Sequence, residues 1–248
     1  MTGPLGTSKE EFLASVRQAL GRSAPSSPEP HYPRLTESVE QLEAQAREMG
    51  QRLVEGRGAR LDRLAEVAQA RGWQVYRTPD PEEALGHIGS VAINLGVKRT
   101  VRSDQEVFRQ LPVDAALQNL GINTTTIAWD DDHPRRFLRE EIVAAGLGLT
   151  GADYAVAETG SVVILPRQGL SRLVSVAPPV HVAVVRPQDV VDSLDDIFLL
   201  RRLAYYRNGS DMGSYLNFIT GPSRTADIEQ TLVVGVHGPK EVHLVLLG

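Results

Sequence analysis

Segments with helical and strand-like patterns alternate along most of this chain, and the alternation restricts the folds that it can adopt. Apolar residues recur at three- and four-residue spacing, which predicts helices at 38–54, 59–70, 82–95, 134–145 and 189–203. Short β-branched and apolar runs predict strands at 73–76, 99–102, 123–128, 153–157, 162–165, 181–185, 215–219 and 242–247. Because strands separated by helices pair in parallel, we expect an α/β fold with a layered, mostly parallel central sheet flanked by helices.

The first 34 residues have a different character. Ser8 and Glu11 have the spacing of a capping box, so a helix is expected to begin there. Residues 24–33 contain four prolines, which is typical of an extended linker. We therefore divide the chain into an N-terminal helix with a proline-rich linker at 1–34 and an α/β domain at 35–248. The pattern leaves open whether this helix packs on its own domain or docks on a partner or a second copy.

Composition excludes several kinds of chemistry. The chain of 248 residues has no cysteine, so it holds no disulfide, no thiolate nucleophile and no cysteine-ligated zinc or iron–sulfur site. A net charge of −5 without a basic stripe argues against nucleic acid as a partner. Neither an apolar signal core nor a run of about 18 apolar residues occurs, so no membrane span is predicted and a cytoplasmic location is expected. A homo-oligomer remains possible.

Three glycines, Gly146, Gly148 and Gly151, match the G-x-G-x-x-G spacing of dinucleotide-binding loops. That motif must follow a strand and open a helix, so that the pyrophosphate meets the helix N-terminus. Here a predicted helix precedes the glycines and a strand-like pattern follows them. We therefore interpret them as a helix stop and a tight entry into a strand, and we predict no cofactor.

Two turns in the C-terminal half carry the side chains best suited to chemistry. In the first, Glu158, Thr159, Gly160 and Ser161 follow a strand of small apolar residues. A glutamate at a strand end is a nucleophile, a general base or simply a solvated charge. The two hydroxyls either bind a ligand oxygen or cap the turn.

The second turn contains Gly221, Ser223, Arg224 and Thr225 and leads into a helix predicted at 225–233. Free amides at the start of that helix, together with the hydroxyls and the guanidinium, are suited to a carboxylate or a phosphate. The alternative is a helix that is merely capped by Ser223 or Thr225. Function at both turns requires that they open into a common cavity.

The six histidines show no metal-binding spacing. His181 and His237 are interpreted as structural, hydrogen-bonding residues. The acidic run at 130–132 with His133 is interpreted as a solvated turn, so no metal is predicted.

Four segments together resemble the lactate utilisation protein C family, the LUD-domain proteins: GADYAVAETGSVV at 151–163, PPVH at 178–181, ITGPSRTADIEQT at 219–231 and GVHGP at 235–239. The resemblance extends over residues 35–248. It implies a fold similar to ribose-phosphate isomerases, CoA transferases and formyltetrahydrofolate cyclo-ligases. It also implies a part in oxidising L-lactate to pyruvate, beside partner proteins that carry iron–sulfur clusters.

Two functional hypotheses follow, beside a third in which the chain is a scaffold whose N-terminal arm recruits the redox partners. In the first, the chain is a non-redox component of an L-lactate oxidation system that binds a small carboxylate metabolite or its partner subunits. In the second, it is a stand-alone enzyme that acts on a phosphorylated or CoA-thioester metabolite through Glu158. CoA transferases of the similar fold place a catalytic glutamate before an Asn-Gly turn, whereas Glu158 precedes Thr159-Gly160. This departure weakens the transfer of thioester chemistry to the chain.

Overall fold

A computed structural model describes residues 8–21, 36–128, 134–165, 172–209, 213, 215–226 and 232–248. The chain divides into two compact units, Met1–Gln41 and Leu42–Gly248. In the first unit, helix α1 (Lys9–Ala19) begins at Ser8, which forms the expected capping box with Glu11.

The second unit contains the α/β architecture. The other helices of the described residues are α2 (Val39–Glu55), α3 (Arg57–Ala70), α4 (Pro81–Asn94), α5 (Val107–Gln110), α6 (Val113–Asn119), α7 (Arg135–Ala144), α8 (Leu173–Val176) and α9 (Leu194–Arg207). The strands are β1 (Gln74–Thr78), β2 (Arg99–Ser103), β3 (Asn123–Ile127), β4 (Leu147–Gly151), β5 (Tyr154–Val156), β6 (Ser161–Ile164), β7 (Val180–Val185), β8 (Val190–Val191), β9 (Asn217–Ile219), β10 (Arg224–Ala226), β11 (Leu232–Val234) and β12 (Glu241–Leu247). None of the described helices combines the length and the apolar character that a membrane crossing needs.

The largest sheet has six strands in the order β1-β12-β7-β4-β2-β3, and every neighbouring pair is parallel. The predicted α/β fold with a mostly parallel central sheet is therefore confirmed. The C-terminal strand β12 lies between β7 and the edge strand β1, so the last strand of the chain pairs with the first.

Strand β7 shows how both faces of the central sheet are covered. Val182 and Val184 belong to a core cluster with α4, α5 and α6, whereas Ala183 and Val185 belong to a second cluster with α3 and strands β5, β6 and β8. All six residues of β7 are buried. A strand buried on both faces has a continuous apolar sequence, as VHVAVV nearly has.

A smaller sheet, ordered β8-β5-β6-β9, covers part of one face of the central sheet. Strand β6 pairs antiparallel with both β5 and β9, while β5 and β8 are parallel. On the other side of this small sheet, Val156, Val163 and Val191 pack against Ile197 of α9. The two candidate turns join or follow strands of this sheet.

The glycine-rich segment proves to be strand β4 in the middle of the central sheet, which the sequence analysis did not predict. No helix opens at its end, since Tyr154 begins β5. A Cβ on Gly148 would lie 1.9 Å from the carbonyl oxygen of Val174, so a glycine is needed for α8 to approach the strand. The same glycines weaken the strand pattern in the sequence.

The helix predicted at 225–233 is wrong. Arg224–Ala226 and Leu232–Val234 form an antiparallel pair of strands instead, with Thr225 opposite Val233. Residues 227–231, which include Asp227 and Glu229, lie outside the described residues. Valines favour extended backbone, and cross-strand pairing here overrides the capping pattern of Ser223 and Thr225.

Candidate functional site

The acidic turn connects β5 to β6 and lies against helix α3. The Gly160 amide donates to the Val156 carbonyl oxygen at 2.9 Å. Gly160 has a φ of +68°, and a Cβ there would come within 2.8 Å of the Ala68 amide nitrogen. Both the backbone conformation and the close approach to α3 therefore require glycine.

Glu158 is held at the N-terminus of α9. Its amide donates to the Asp192 carbonyl oxygen at 3.0 Å, and its Oε2 accepts from the amide of Leu194, the first residue of α9, at 3.3 Å. The side chain is exposed. A carboxylate in this position complements the partial positive charge of a helix N-terminus. This contact gives Glu158 a structural role at the start of α9, and it does not test a catalytic role.

An ion network lies beside this turn. The Asp192 carboxylate accepts from Arg52 Nε at 2.9 Å and from Arg60 Nε at 2.8 Å, and Arg52 Nη2 donates to Asp196 at 2.6 Å. Arg60 is only 5% exposed and also donates to two backbone carbonyls of α2. Burial acts to lower the pKa of Arg52, but the hydrogen bonds and charges of Asp196 and Asp192 raise it overall. The network joins α2 and α3 to the start of α9.

A chain of hydroxyls connects the two candidate turns. Thr159 Oγ1 donates to Ser161 Oγ at 2.8 Å, and Ser161 Oγ lies 2.8 Å from Thr220 Oγ1. Ser161 is 3% exposed. Because β6 and β9 are antiparallel neighbours, Ser161 lies beside the residue that precedes Gly221. The structure thus brings the two predicted segments together at this point.

The second turn lies against the end of α3. Gly221 has a φ of +114°, and a Cβ on it would lie 2.3 Å from the Arg71 carbonyl oxygen. Arg224 Nη2 donates to the same carbonyl oxygen at 3.4 Å, and its side chain is exposed. A Cβ on Gly72 would come within 2.6 Å of Arg224 Nη2. The guanidinium therefore lies over the C-terminus of α3, where a positive charge is favourable.

Ser223 is tied to the segment before β12. Its amide donates to the Pro239 carbonyl oxygen and its carbonyl oxygen accepts from the Gly235 amide, both at 2.9 Å. Its Oγ accepts from the His237 amide at 3.3 Å. The Thr225 side chain is half-buried, in strand β10.

The candidate residues thus form two groups on one helix. Gly160 approaches Ala68, whereas Gly221 and Arg224 approach Arg71, the C-cap residue of α3. No hydrogen bond or ion pair joins the Glu158 carboxylate to the Arg224 guanidinium, although the structure describes both residues. The common cavity that function at both turns requires remains a prediction.

His181 is structural, as the sequence analysis expected. It is fully buried in β7, and its Nε2 lies 2.8 Å from Thr150 Oγ1. Burial, aided by the charge of His243, lowers the pKa of His181 to about 3. The imidazole is therefore neutral at physiological pH.

Polar groups at the carboxyl edge of the central sheet were not predicted as site residues. Arg186 follows β7 and forms two hydrogen bonds with Asp189, at 2.7 and 3.0 Å, which raise the pKa of Arg186. Burial raises the pKa of Asp189 despite this partner. At the end of β2, Ser103 Oγ donates to Gln105 Oε1 at 2.6 Å. Their positions directly after predicted strands could have identified them, because ligands of parallel sheets bind outside the carboxyl ends of the strands.

Among the described residues, no three histidine or acidic side chains are grouped as metal ligands. The acidic run at 130–132 and His133 lie outside those residues.

Comparisons with known proteins place the chain in a family. The model of the LUD domain matches residues 61–247. Lactate utilization protein C of Bacillus pumilus is 30% identical over 96% of both chains. Lactate utilization protein C of Halalkalibacterium halodurans is 40% identical over 45% of this chain and 47% of its own length.

Longer relatives match as well. Lactate utilization protein B of a Geobacillus species is 24% identical over 84% of this chain, which spans about half, 52%, of that protein. A crystal structure of a DUF162 family protein from Deinococcus radiodurans has the same fold, with a TM-score of 0.52, 22% identity and coverage of 77% of this chain and 98% of its own. With a family match over most of its length and a full-length relative, the chain belongs to the LUD domain family.

Proposed function

We propose that this chain is a non-redox component of a lactate utilization system and that it binds a small carboxylate metabolite. The observation that carries the proposal is the alignment with lactate utilization protein C of Bacillus pumilus across 96% of both chains. The chain has no cysteine, so any cysteine-ligated iron–sulfur cluster of such a system belongs to partner proteins. The proposal therefore includes iron–sulfur redox proteins as partners of this chain.

The carboxylate would bind at Arg224, with the hydroxyls of Ser223 and Thr225 beside it. Helix amides are not available here, since β10 occupies the place of the predicted helix. What supports the proposal is the exposed guanidinium, which has five N–H donors, one of which bonds Arg71. Thr159 adjoins this turn through Ser161 and Thr220, so it would face the other end of the metabolite.

Isothermal titration with L-lactate and pyruvate tests the binding role. Arg224→Ala should raise Kd by about tenfold or more, because a hydrogen bond to a charged group contributes about 1.5–3 kcal/mol. Arg63→Ala is the matched control, since Arg63 is an exposed arginine of the same helix α3 that Arg224 approaches. Unchanged affinity in a folded Arg224 variant, or an equal loss in both variants, would refute this role for Arg224.

A further inference from the structure

A groove of about 430 Å³ lies at the amino edge of the central sheet. Lys98 and Arg99 flank it at the start of β2, and Lys240 flanks it just before β12. Val97, Gly146 and Val180 form an apolar floor. We call this feature the lysine groove; none of the residues proposed for carboxylate binding lines it.

The lysines of the groove are unusual in this chain. Of the 26 basic residues only three are lysines, Lys9, Lys98 and Lys240, and two of these flank the same groove. They are far apart in the sequence and meet because β2 and β12 run parallel in one sheet. A lysine ammonium is a compact point charge that binds phosphate, whereas the arginine used elsewhere in the chain is a planar fork.

Capping of helix α4 does not account for Lys98. At the C-terminus of α4, the amides of Leu95, Gly96 and Val97 already bond the carbonyls of the last turn, at 3.2, 2.9 and 2.9 Å. The α4 carbonyls therefore need no lysine to cap them.

No acidic residue lines the lysine groove. Arg99 Nη1 lies 3.7 Å from the Glu141 carboxylate. Because the Arg99 side chain is 56% exposed, this ion pair is weak. In the part of the chain that the structure describes, neither Lys98 nor Lys240 is in a salt bridge. Lys98 and Lys240 therefore have no carboxylate partner among the described residues, and Arg99 has only the weak pair with Glu141, in a protein with a net charge of −5.

We propose that the lysine groove binds a small metabolite that carries a phosphate group. Three cations suit the two negative charges of a phosphate better than the single charge of a monocarboxylate. The apolar floor accommodates the organic part, and the volume lies within the range of small-molecule sites, about 300–1,000 Å³. The proposal is independent of the carboxylate site at Arg224, since it uses other residues.

Titration of the full chain with inorganic pyrophosphate at low ionic strength tests the proposal. Lys98→Gln and Lys240→Gln should each raise Kd by about tenfold or more, since each removes a charged hydrogen bond. The control Arg63→Gln removes the same charge from the exposed side of α3 and should change Kd by less than about twofold, because Arg63 does not line the groove and so makes no hydrogen bond to an anion bound there. No binding by the wild type, equal losses in all three variants, or tighter binding of lactate than of pyrophosphate at the groove would overturn the proposal.

Amide NMR of the wild-type chain provides a test that needs no variant. Pyrophosphate should shift the amide signals of Gly96, Lys98, Gly146 and Lys240, and leave those of Thr159 and Arg224 in place. Shifts confined to other regions would overturn the site. The two lysine variants should keep the wild-type unfolding free energy within about 0.5 kcal/mol, as is usual for exposed substitutions.

Discussion

Two polar regions of this domain differ in what their side chains already bind. In the paired turns, which comprise residues 158–161 and 220–225, hydroxyls, glycines and charges are bonded to α3, α9 and each other. In the lysine groove, two lysines face a cavity and form no salt bridge with any described residue. Glycine and hydroxyl residues in the sequence indicated the turns as candidate sites, yet most hydrogen bonds of these turns stabilise the fold. A charge without a protein partner is the more direct indication of a ligand; among the described residues, the groove has two such lysines, and in the turns the Arg224 guanidinium has only the bond to Arg71.

The largest expected effect tests whether the first turn is structural. Gly160→Ala should lower the free energy of unfolding by about 3 kcal/mol, because it combines a left-handed φ with a clash against Ala68. Gly209→Ala is the control, since Gly209 has a φ of +64° and open space around its Cβ position. That variant should lose only about 1 kcal/mol, the cost of the φ alone. Equal losses in urea unfolding would show that the approach to α3 contributes nothing.

A smaller effect is expected from the hydroxyl chain. Ser161→Ala should cost about 1–2 kcal/mol of unfolding free energy, because it leaves the Thr159 and Thr220 hydroxyls without their buried partner. Ser90→Ala is the comparison, since the exposed Ser90 hydroxyl bonds only the Gly86 carbonyl oxygen of its own helix, and its loss should stay within about 0.5 kcal/mol. If denaturant unfolding finds no difference between the two variants, the hydroxyl chain does not join the turns.

The smallest effect concerns Glu158. Glu158→Gln should cost about 0.5 kcal/mol or less, because an exposed carboxylate at a helix N-terminus contributes little. The same variant tests the alternative in which Glu158 is a nucleophile on a CoA thioester. Mass spectrometry after incubation with acyl-CoA should find no glutamyl adduct on the wild type if the residue is structural. An adduct that the variant lacks would favour the enzyme instead.

The elements of the central sheet were predictable where the local pattern and the final environment agree. Strand β7 is buried on both faces and has the continuous apolar sequence of such a strand. Strand β4 was missed because Gly148 and Gly151, which permit close packing, also weaken its strand pattern. Residues 225–233 were misassigned because the capping residues of a helix start also occur where a strand begins.

The candidate turns were predictable as turns, but their partners were not. Gly160 and Gly221 both have a positive φ, which glycine adopts more readily than other residues, so a turn at each position was predictable. Both glycines lie against the end of α3, which is far earlier in the chain. This contact follows only from how the two sheets pack.

The sequence by itself determined the alternation of elements, the absence of thiol chemistry and the family, because these depend on residue type and local order. Tertiary structure alone decided which polar groups are satisfied and which are left facing a cavity. The reason is that parallel strands align their amino ends at one edge, so lysines distant in the chain become neighbours there. No local sequence pattern predicts that Lys98 and Lys240 lie at the same groove, since this depends on the order of strands in the sheet.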